Sequence, residues 1–355
     1  MPSVAQWLER VDPGTHRRIK GLRLVTAFGI AAMLGALPDV ARGLHGGASL
    51  STVAGGFALW ASVSEGQATR PRSGRDLALL CAAAVLGAGL YVALAPLLQS
   101  TARVGAELTL AIGAFLVSYL RRFGVLGAGI GSQIYIGQIL AYGAGMTRAD
   151  LVTIGVAGAI AAVAAIVPRM LSGPAEHPPP APLRLVAARP GGPSPELVAG
   201  LQAAIAAVAI VLLNEVVRLS ESVWAITACT YVVANSAAGT IDRVRRRIVG
   251  TVIGVPLGLA CLPLAEHVPL LAWTAAAVGM VIYAMALPER YDIACGAFAF
   301  ALIVTLAASG EHSAALLAAR AWETLLGGAL GLAAAMFIFP IRPSPAVAAR
   351  AHDEA

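Results

Sequence analysis

Charged side chains are scarce in this sequence. Asp, Glu, Lys and Arg together make up 12% of its 355 residues, about half of the roughly 25% found in a typical soluble domain. Apolar residues make up 58%, and a soluble fold of this size could not bury so much apolar surface. The low charge therefore excludes an ordinary soluble protein, and we expect the lipid bilayer to surround most of the chain.

Lysine is almost missing, because Lys20 is the only lysine among 25 basic residues. A net charge of +6 would indicate a nucleic-acid partner in a soluble protein. In a membrane protein it indicates arginine kept on the cytoplasmic side. We therefore expect no nucleic-acid partner.

Paired cysteines and catalytic motifs are also missing. The four cysteines lie in apolar runs without a CxxC spacing, which argues against a disulfide framework or a zinc site. No HExxH, GxSxG or P-loop motif occurs. The sequence therefore predicts a protein that is not an enzyme and has no metal or cofactor.

Long apolar runs are what the sequence does contain, and a membrane-spanning helix needs about 20 such residues. We predict an all-α polytopic membrane protein with about twelve transmembrane helices. The predicted spans are 21–38, 49–66, 77–98, 105–120, 124–144, 150–168, 197–217, 222–238, 248–265, 268–287, 292–309 and 317–339.

The basic residues predict the orientation of these spans. If the N-terminus is cytoplasmic and the spans alternate, all but five of the 25 basic residues fall on the cytoplasmic side. The five on the other side are Arg42, Arg103, Arg148, Arg218 and Arg320. We therefore expect both termini in the cytoplasm.

A proline-rich stretch divides the predicted spans into two sets of six. We expect a cytoplasmic lead (1–20), a first membrane half (21–171), a cytoplasmic linker (172–196), a second membrane half (197–340) and a cytoplasmic tail (341–355). The halves look duplicated, because 148–168 and 320–340 share an Arg, a following Ala, a Gly and a final Pro at an offset of 172 positions.

The second half also contains a recognisable motif. Its members are Trp224, Gly239, Thr240, Arg243, Arg247, Gly250, Thr251 and Gly254. This spacing resembles the fusaric acid resistance family, the aromatic acid exporters of bacterial inner membranes. The resemblance implies export of small organic anions and a periplasmic adaptor protein as partner.

The same motif has a physical interpretation. Gly250 and Gly254, continued by Gly258, form a stripe of small residues that lets another helix approach closely, and Gly327 with Gly331 do the same in the last span. Arginines at the inner end of a span complement free carbonyls and anionic lipid headgroups. A substrate anion at these arginines is the alternative.

Polar residues at membrane depth are the candidate substrate site. Tyr135, Gln138 and Tyr142 share one face of the fifth span, whereas Gln133 points elsewhere. Such a face suits an aromatic carboxylate, and helix–helix hydrogen bonding is the alternative.

Three further places in the second half carry polar groups at membrane depth. Asn214 and Glu215 end the seventh span, and Asn235 and Ser236 lie near the inner end of the eighth. Arg320 and Glu323 stand three residues apart in the last span, which allows an ion pair or a proton-coupling site. Glu215 is the other candidate for proton coupling.

The function that the sequence predicts is a transporter exporting small, aromatic-acid-like anions, with coupling to protons as an expectation. Two alternatives stay open. One is an organic-anion channel, because the six-span unit is distantly similar to plant malate channels. The other is a non-transporting membrane scaffold subunit. A homo-oligomer is left open as well.

Overall fold

In the computed structural model, the structure describes residues 15–66, 69–100, 102–172, 193–234, 237–287, 289–310, 313–338 and 340. All regular elements within these ranges are helices, which confirms the all-α class. We number the longer helices α1 to α12. They are α1 (Thr15–Ala36), α2 (Leu50–Ser64), α3 (Arg70–Gln99), α4 (Thr109–Tyr119), α5 (Gly124–Gly143), α6 (Leu151–Leu171), α7 (Pro195–Val217), α8 (Ser222–Val232), α9 (Ala237–Ala260), α10 (Pro269–Ala286), α11 (Tyr291–Ala308) and α12 (Ala314–Phe337).

Local sequence explains several helix ends. Pro195 occupies the first turn of α7, where its missing N–H costs nothing, and the Ser194 hydroxyl accepts a hydrogen bond from the Leu197 amide. Thr147 and Asp150 form a capping box before α6. The predicted linker lies largely outside the described residues, and α7 starts inside its last two positions.

The stretch from 105 to 143 folds back on itself. A 3₁₀ turn covers Leu120–Phe123, and Gly124 follows with a positive φ of 79° that glycine adopts readily. A Cβ atom on Gly131 of α5 would collide with the Leu116 carbonyl of α4. α4 and α5 therefore form an antiparallel helical hairpin.

Seven helical segments in the described ranges are long and apolar enough to cross a membrane, as expected for a multi-pass membrane protein. They are Arg17–Ala36, Arg70–Gln99, Gly105–Gly143, Arg148–Leu171, Pro195–Val217, Pro269–Ala286 and Tyr291–Ala308. The prediction of twelve spans is not confirmed, although each predicted run overlaps a helix. α2 and α8 have only 15 and 11 residues, too short for a core about 30 Å thick, and α9 carries four arginines near its start.

The two halves pack their helices in the same pairs. In the first half, α1 packs on α2 and α6, α2 on α6, α3 on α5 and α6, and α4 on α5. In the second half, α7 packs on α8 and α12, α8 on α12, α9 on α11 and α12, and α10 on α11. The halves meet where α1 packs on α10 and where α4 packs on α7.

Glycines set the closest of these contacts. A Cβ atom on Gly254 of α9 would collide with Gly296 of α11, and one on Gly327 of α12 would collide with the Ala225 carbonyl of α8. The predicted small-residue stripes therefore lie at close helix–helix contacts, where dispersion and backbone proximity stabilise packing in lipid.

Candidate functional site

One face of α5 carries four polar side chains, and two of them, Ser132 and Tyr135, hydrogen-bond to the second half of the chain. Ser132, Tyr135, Gln138 and Tyr142 follow one another at spacings of three or four residues, which keeps them on one side of a helix. Gln133 points away from this face and donates a hydrogen bond to the Ser64 hydroxyl within the first half. We call the four residues and their hydrogen-bonding partners the polar interface.

The first part of the polar interface connects α5 to α8. The hydroxyls of Ser132 and Tyr231 hydrogen-bond at 2.7 Å, and those of Tyr135 and Thr227 at 3.1 Å. The rings of Tyr135 and Tyr231 meet edge to face with centroids 6.0 Å apart. Because Tyr135 is fully buried, this part of the interface combines aromatic surface with hydroxyl groups.

The middle of the polar interface is Gln138, which is fully buried. Its Nε2 donates to the Thr109 carbonyl at 3.1 Å, whereas its Oε1 accepts no hydrogen bond from any residue that the structure describes. Gly113 of α4 makes the room for this amide, because a Cβ atom there would collide with Gln138 Oε1. An unpaired buried acceptor of this kind can receive a hydrogen bond from a bound molecule.

Glu107 closes the polar interface at the end that we predict to be periplasmic. Its carboxylate is buried and accepts from the Tyr142 hydroxyl (3.0 Å), the Asn214 amide (3.0 Å to each oxygen) and the Ser222 hydroxyl (2.9 Å). No cation pairs with it among the described residues. Neutral donors from both halves of the chain therefore hold a single buried carboxylate.

Sequence reasoning missed Glu107, although it predicted both Tyr142 and Asn214. The available signal was an acidic residue inside the predicted span 105–120. It lies in a 3₁₀ turn, Gly105–Leu108, directly before α4, and the fold alone brings Asn214 to it.

The two acids predicted for proton coupling lie apart from this cluster. Glu215 is 37% exposed, accepts from the Val104 amide at 3.1 Å and lies 3.9 Å from Arg103. Glu323 is fully buried and accepts from the Glu221 amide at the start of α8. The Arg320 side chain and both Asn235 and Ser236 lie outside the described residues, so their predicted roles stay predictions.

The motif residues shape the connection between α8 and α9. The Thr240 hydroxyl accepts from the Ala234 amide at 3.0 Å, and Arg243 donates to the Val233 carbonyl at 3.3 Å. Trp224 at the other end of α8 donates to Glu221. These contacts give the polar members of the motif local structural roles.

A second buried cluster lies at the predicted cytoplasmic end of the first half. Glu65 is surrounded by Arg23 (3.9 Å), Arg169 (4.0 Å) and Lys20, whose Nζ donates to the Glu65 carbonyl at 2.6 Å. Arg169 also donates to the Ser73 hydroxyl. These cations share a carboxylate, which fits a structural ion-pair cluster.

An aromatic cluster joins the halves on the other side of the molecule. Trp60 of α2 contacts Phe298 of α11 and Tyr283 of α10 edge to face, with ring centroids 5.5 and 6.1 Å apart. We call these three residues the aromatic interface.

An apolar groove of about 710 Å³ lies outside both interfaces. It opens at the surface between α9 and α10, and its floor is the Gly250, Gly254 and Gly296 contact. Its lining suits lipid chains rather than a charged ligand.

No group of three or more His, Cys, Asp or Glu side chains is placed to hold a metal ion within the described part of the chain. The prediction of no metal and no cofactor remains a prediction.

The fold and the buried polar groups define a multi-pass helical membrane protein with a polar interface between its halves. Residues 205–334 match a protein family described as fusaric acid resistance protein-like. The predicted resemblance is thereby confirmed for this part of the chain, which is similar to that family. No curated protein and no solved structure matches the chain.

Proposed function

We propose that this protein is a bacterial inner-membrane transporter that exports small organic anions with an aromatic ring. The family match and the apolar helices indicate a membrane-transport-related protein. The polar interface supports the choice of substrate, because it offers tyrosine rings, hydroxyls and an amide rather than a nucleophile or a metal-binding group.

The observation that carries the proposal is the continuity of the polar interface. From Ser132 to Tyr142 the four side chains of α5 cover about 15 Å along the helix axis, roughly half of the hydrocarbon core. Each one hydrogen-bonds to a residue of another element. Polar groups that line up between two packed halves are typical of a translocation path.

Alternating movement of two related halves is the proposed mechanism. The shared pattern of helix pairs supports a duplication, and contacts between the halves are limited to a few helices. Halves of this kind can rock against each other around a site at their interface.

We assign proton coupling to Glu107, with Glu323 as the second candidate. A charged Glu107 accepts hydrogen bonds from Asn214 and Ser222 of the second half and so holds the predicted periplasmic end closed. A proton on this carboxyl turns one acceptor oxygen into a donor and weakens that closure. The periplasmic adaptor and a homo-oligomer remain proposals that no contact in this chain tests.

The proposal is tested with radiolabelled benzoate and purified full-length protein in proteoliposomes. We expect saturable flux that a pH gradient accelerates. Gln138→Leu should lower this flux about tenfold, because a buried polar partner of the substrate is lost. The matched control is Gln133→Leu on the opposite face of the same helix, which should keep flux within about twofold.

Other results would point to the alternatives. Flux that rises linearly with concentration and ohmic currents in a planar bilayer would favour the channel. Absence of flux for benzoate and for a panel of organic acids, with the protein folded, would reject transport and favour the scaffold subunit.

A further inference from the structure

Three arginines converge at the predicted cytoplasmic end of the polar interface. Arg121 comes from the turn between α4 and α5, and Arg243 and Arg247 lie one turn apart on α9. All three are half-buried. Arg121 lies within electrostatic range of Arg243, and Tyr231, whose hydroxyl bonds to Ser132, lies within electrostatic range of both Arg121 and Arg247.

No carboxylate neutralises these arginines among the residues that the structure describes. They donate hydrogen bonds to neutral groups, Arg243 to the Val233 carbonyl and Arg247 to the Tyr291 hydroxyl. The nearby acids are engaged elsewhere, since Asp242 pairs with Arg246 and Asp292 with Arg290. Like charges held together without a counter-ion attract an anion.

One donor in this group is also available for a ligand. Arg247 Nε is buried and has no hydrogen-bond partner within the described ranges. The guanidinium presents its N–H groups in a planar fork that matches the two oxygens of a carboxylate.

Aromatic rings stand next to the arginines. Tyr291 lies at the tip of Arg247, with its hydroxyl 3.5 Å from Nη1. Tyr231 links the cluster to Ser132 and Tyr135, the first residues of the polar interface. A flat aromatic ring can pack against these tyrosines while its acid group meets the arginines.

We propose that Arg121, Arg243 and Arg247 form the entry site for an aromatic monocarboxylate, with Tyr231 and Tyr291 packing against its ring. The site draws on both halves of the chain, so its geometry changes when the halves move. The inference rests on the proposed function, because it names where a cytoplasmic substrate would first bind. It also explains why no acid of the described residues pairs with these three arginines, whereas Glu65 lies between Arg23 and Arg169.

The test is equilibrium binding of radiolabelled benzoate to the full-length protein in phosphatidylcholine nanodiscs. We expect Arg247→Gln to weaken binding at least tenfold, since it removes one positive charge and the paired N–H donors of one guanidinium. Arg121→Gln, in the other half, should give a similar loss. Arg247→Lys should lower the affinity for benzoate about threefold to fivefold, because it keeps the positive charge and removes the paired N–H donors of the guanidinium. Thermal unfolding of each variant verifies that it is folded.

The matched control is Arg245→Gln, which removes the same charge from an exposed position on the same helix. Binding within about twofold of wild type is expected. An equal loss with Arg245→Gln, or none with Arg247→Gln and Arg121→Gln, would overturn the site. So would benzoate binding that disappears when phosphatidylglycerol is added to the nanodiscs, because the arginines would then be a headgroup site.

This result is separable from that of the transport assay. Flux in proteoliposomes without arginine-dependent binding overturns the inference and leaves the proposed function standing. Arginine-dependent binding without any flux supports the site and rejects transport.

Discussion

The polar interface and the aromatic interface both join the two halves, yet their chemistry differs. If the halves are duplicates, α5 against α8 corresponds to α11 against α2. The first pair is joined by hydroxyl contacts such as Tyr135 to Thr227, the second by ring contacts of Trp60. A hydrogen-bonded contact can exchange partners with a ligand, whereas a ring cluster mainly adds packing. We infer that one interface handles substrate and the other holds the halves together.

The largest expected effect is loss of stability from the aromatic interface. Trp60→Ala removes edge-to-face contacts with Phe298 and Tyr283 and leaves a space, so the free energy of unfolding should fall by about 2–4 kcal/mol. Thermal unfolding followed by circular dichroism measures this loss. Benzoate flux per folded molecule should stay within about twofold; a tenfold drop would mean that the two interfaces share one role.

The next largest effect is on coupling in the polar interface. Glu107→Gln places an amide against the donors of Tyr142, Asn214 and Ser222. Losing hydrogen bonds to a charged group costs about 1.5–3 kcal/mol, so flux should fall roughly tenfold to a hundredfold and stop responding to the pH gradient. Proteoliposome flux at two external pH values measures both quantities.

Glu266→Gln is the control for this change, because Glu266 is an exposed acid at the same predicted end of the molecule. It should leave the pH response intact. A Glu107→Gln protein whose flux still follows the pH gradient would remove Glu107 from the coupling mechanism and leave Glu323.

The smallest expected effect compares one hydroxyl in each interface. Tyr135→Phe loses its bond to Thr227, worth about 0.5–1.5 kcal/mol for neutral partners, so benzoate flux should fall about threefold to tenfold. The Tyr283 hydroxyl makes no hydrogen bond within the described residues, and Tyr283→Phe should leave flux unchanged. Equal effects of the two substitutions would contradict the division of roles.

Much of the fold was predictable, because helices in lipid must satisfy their backbone groups internally and so appear as long apolar runs. All twelve predicted runs overlap helices. Which of these helices are long and apolar enough to span a membrane was less predictable. Glu65 ends α2, and the arginines after Gly239 extend α9 into polar sequence, so the number of twelve spans stays a prediction.

The part of the candidate site that lies on one helix was predictable from the sequence, whereas the contacts between residues of different helices were not. The spacing of Tyr135, Gln138 and Tyr142 placed them on one face, because helix geometry fixes residues three or four apart. The partnership of Glu107 with Asn214 joins positions 107 residues apart. Only packing of α4 against α7 brings them together.

The sequence by itself determined that this protein is a helical membrane protein whose residues 205–334 are similar to the fusaric acid resistance protein-like family. Composition, apolar runs and the spacing of Gly, Thr and Arg are local properties, so they can be recognised in the sequence without knowing the fold. Tertiary structure decided which acid is buried among neutral donors, and it placed Arg121, Arg243 and Arg247 where no carboxylate of the described residues pairs with them. Those outcomes depend on which side chains two packed helices present to each other, and no single helix encodes that choice.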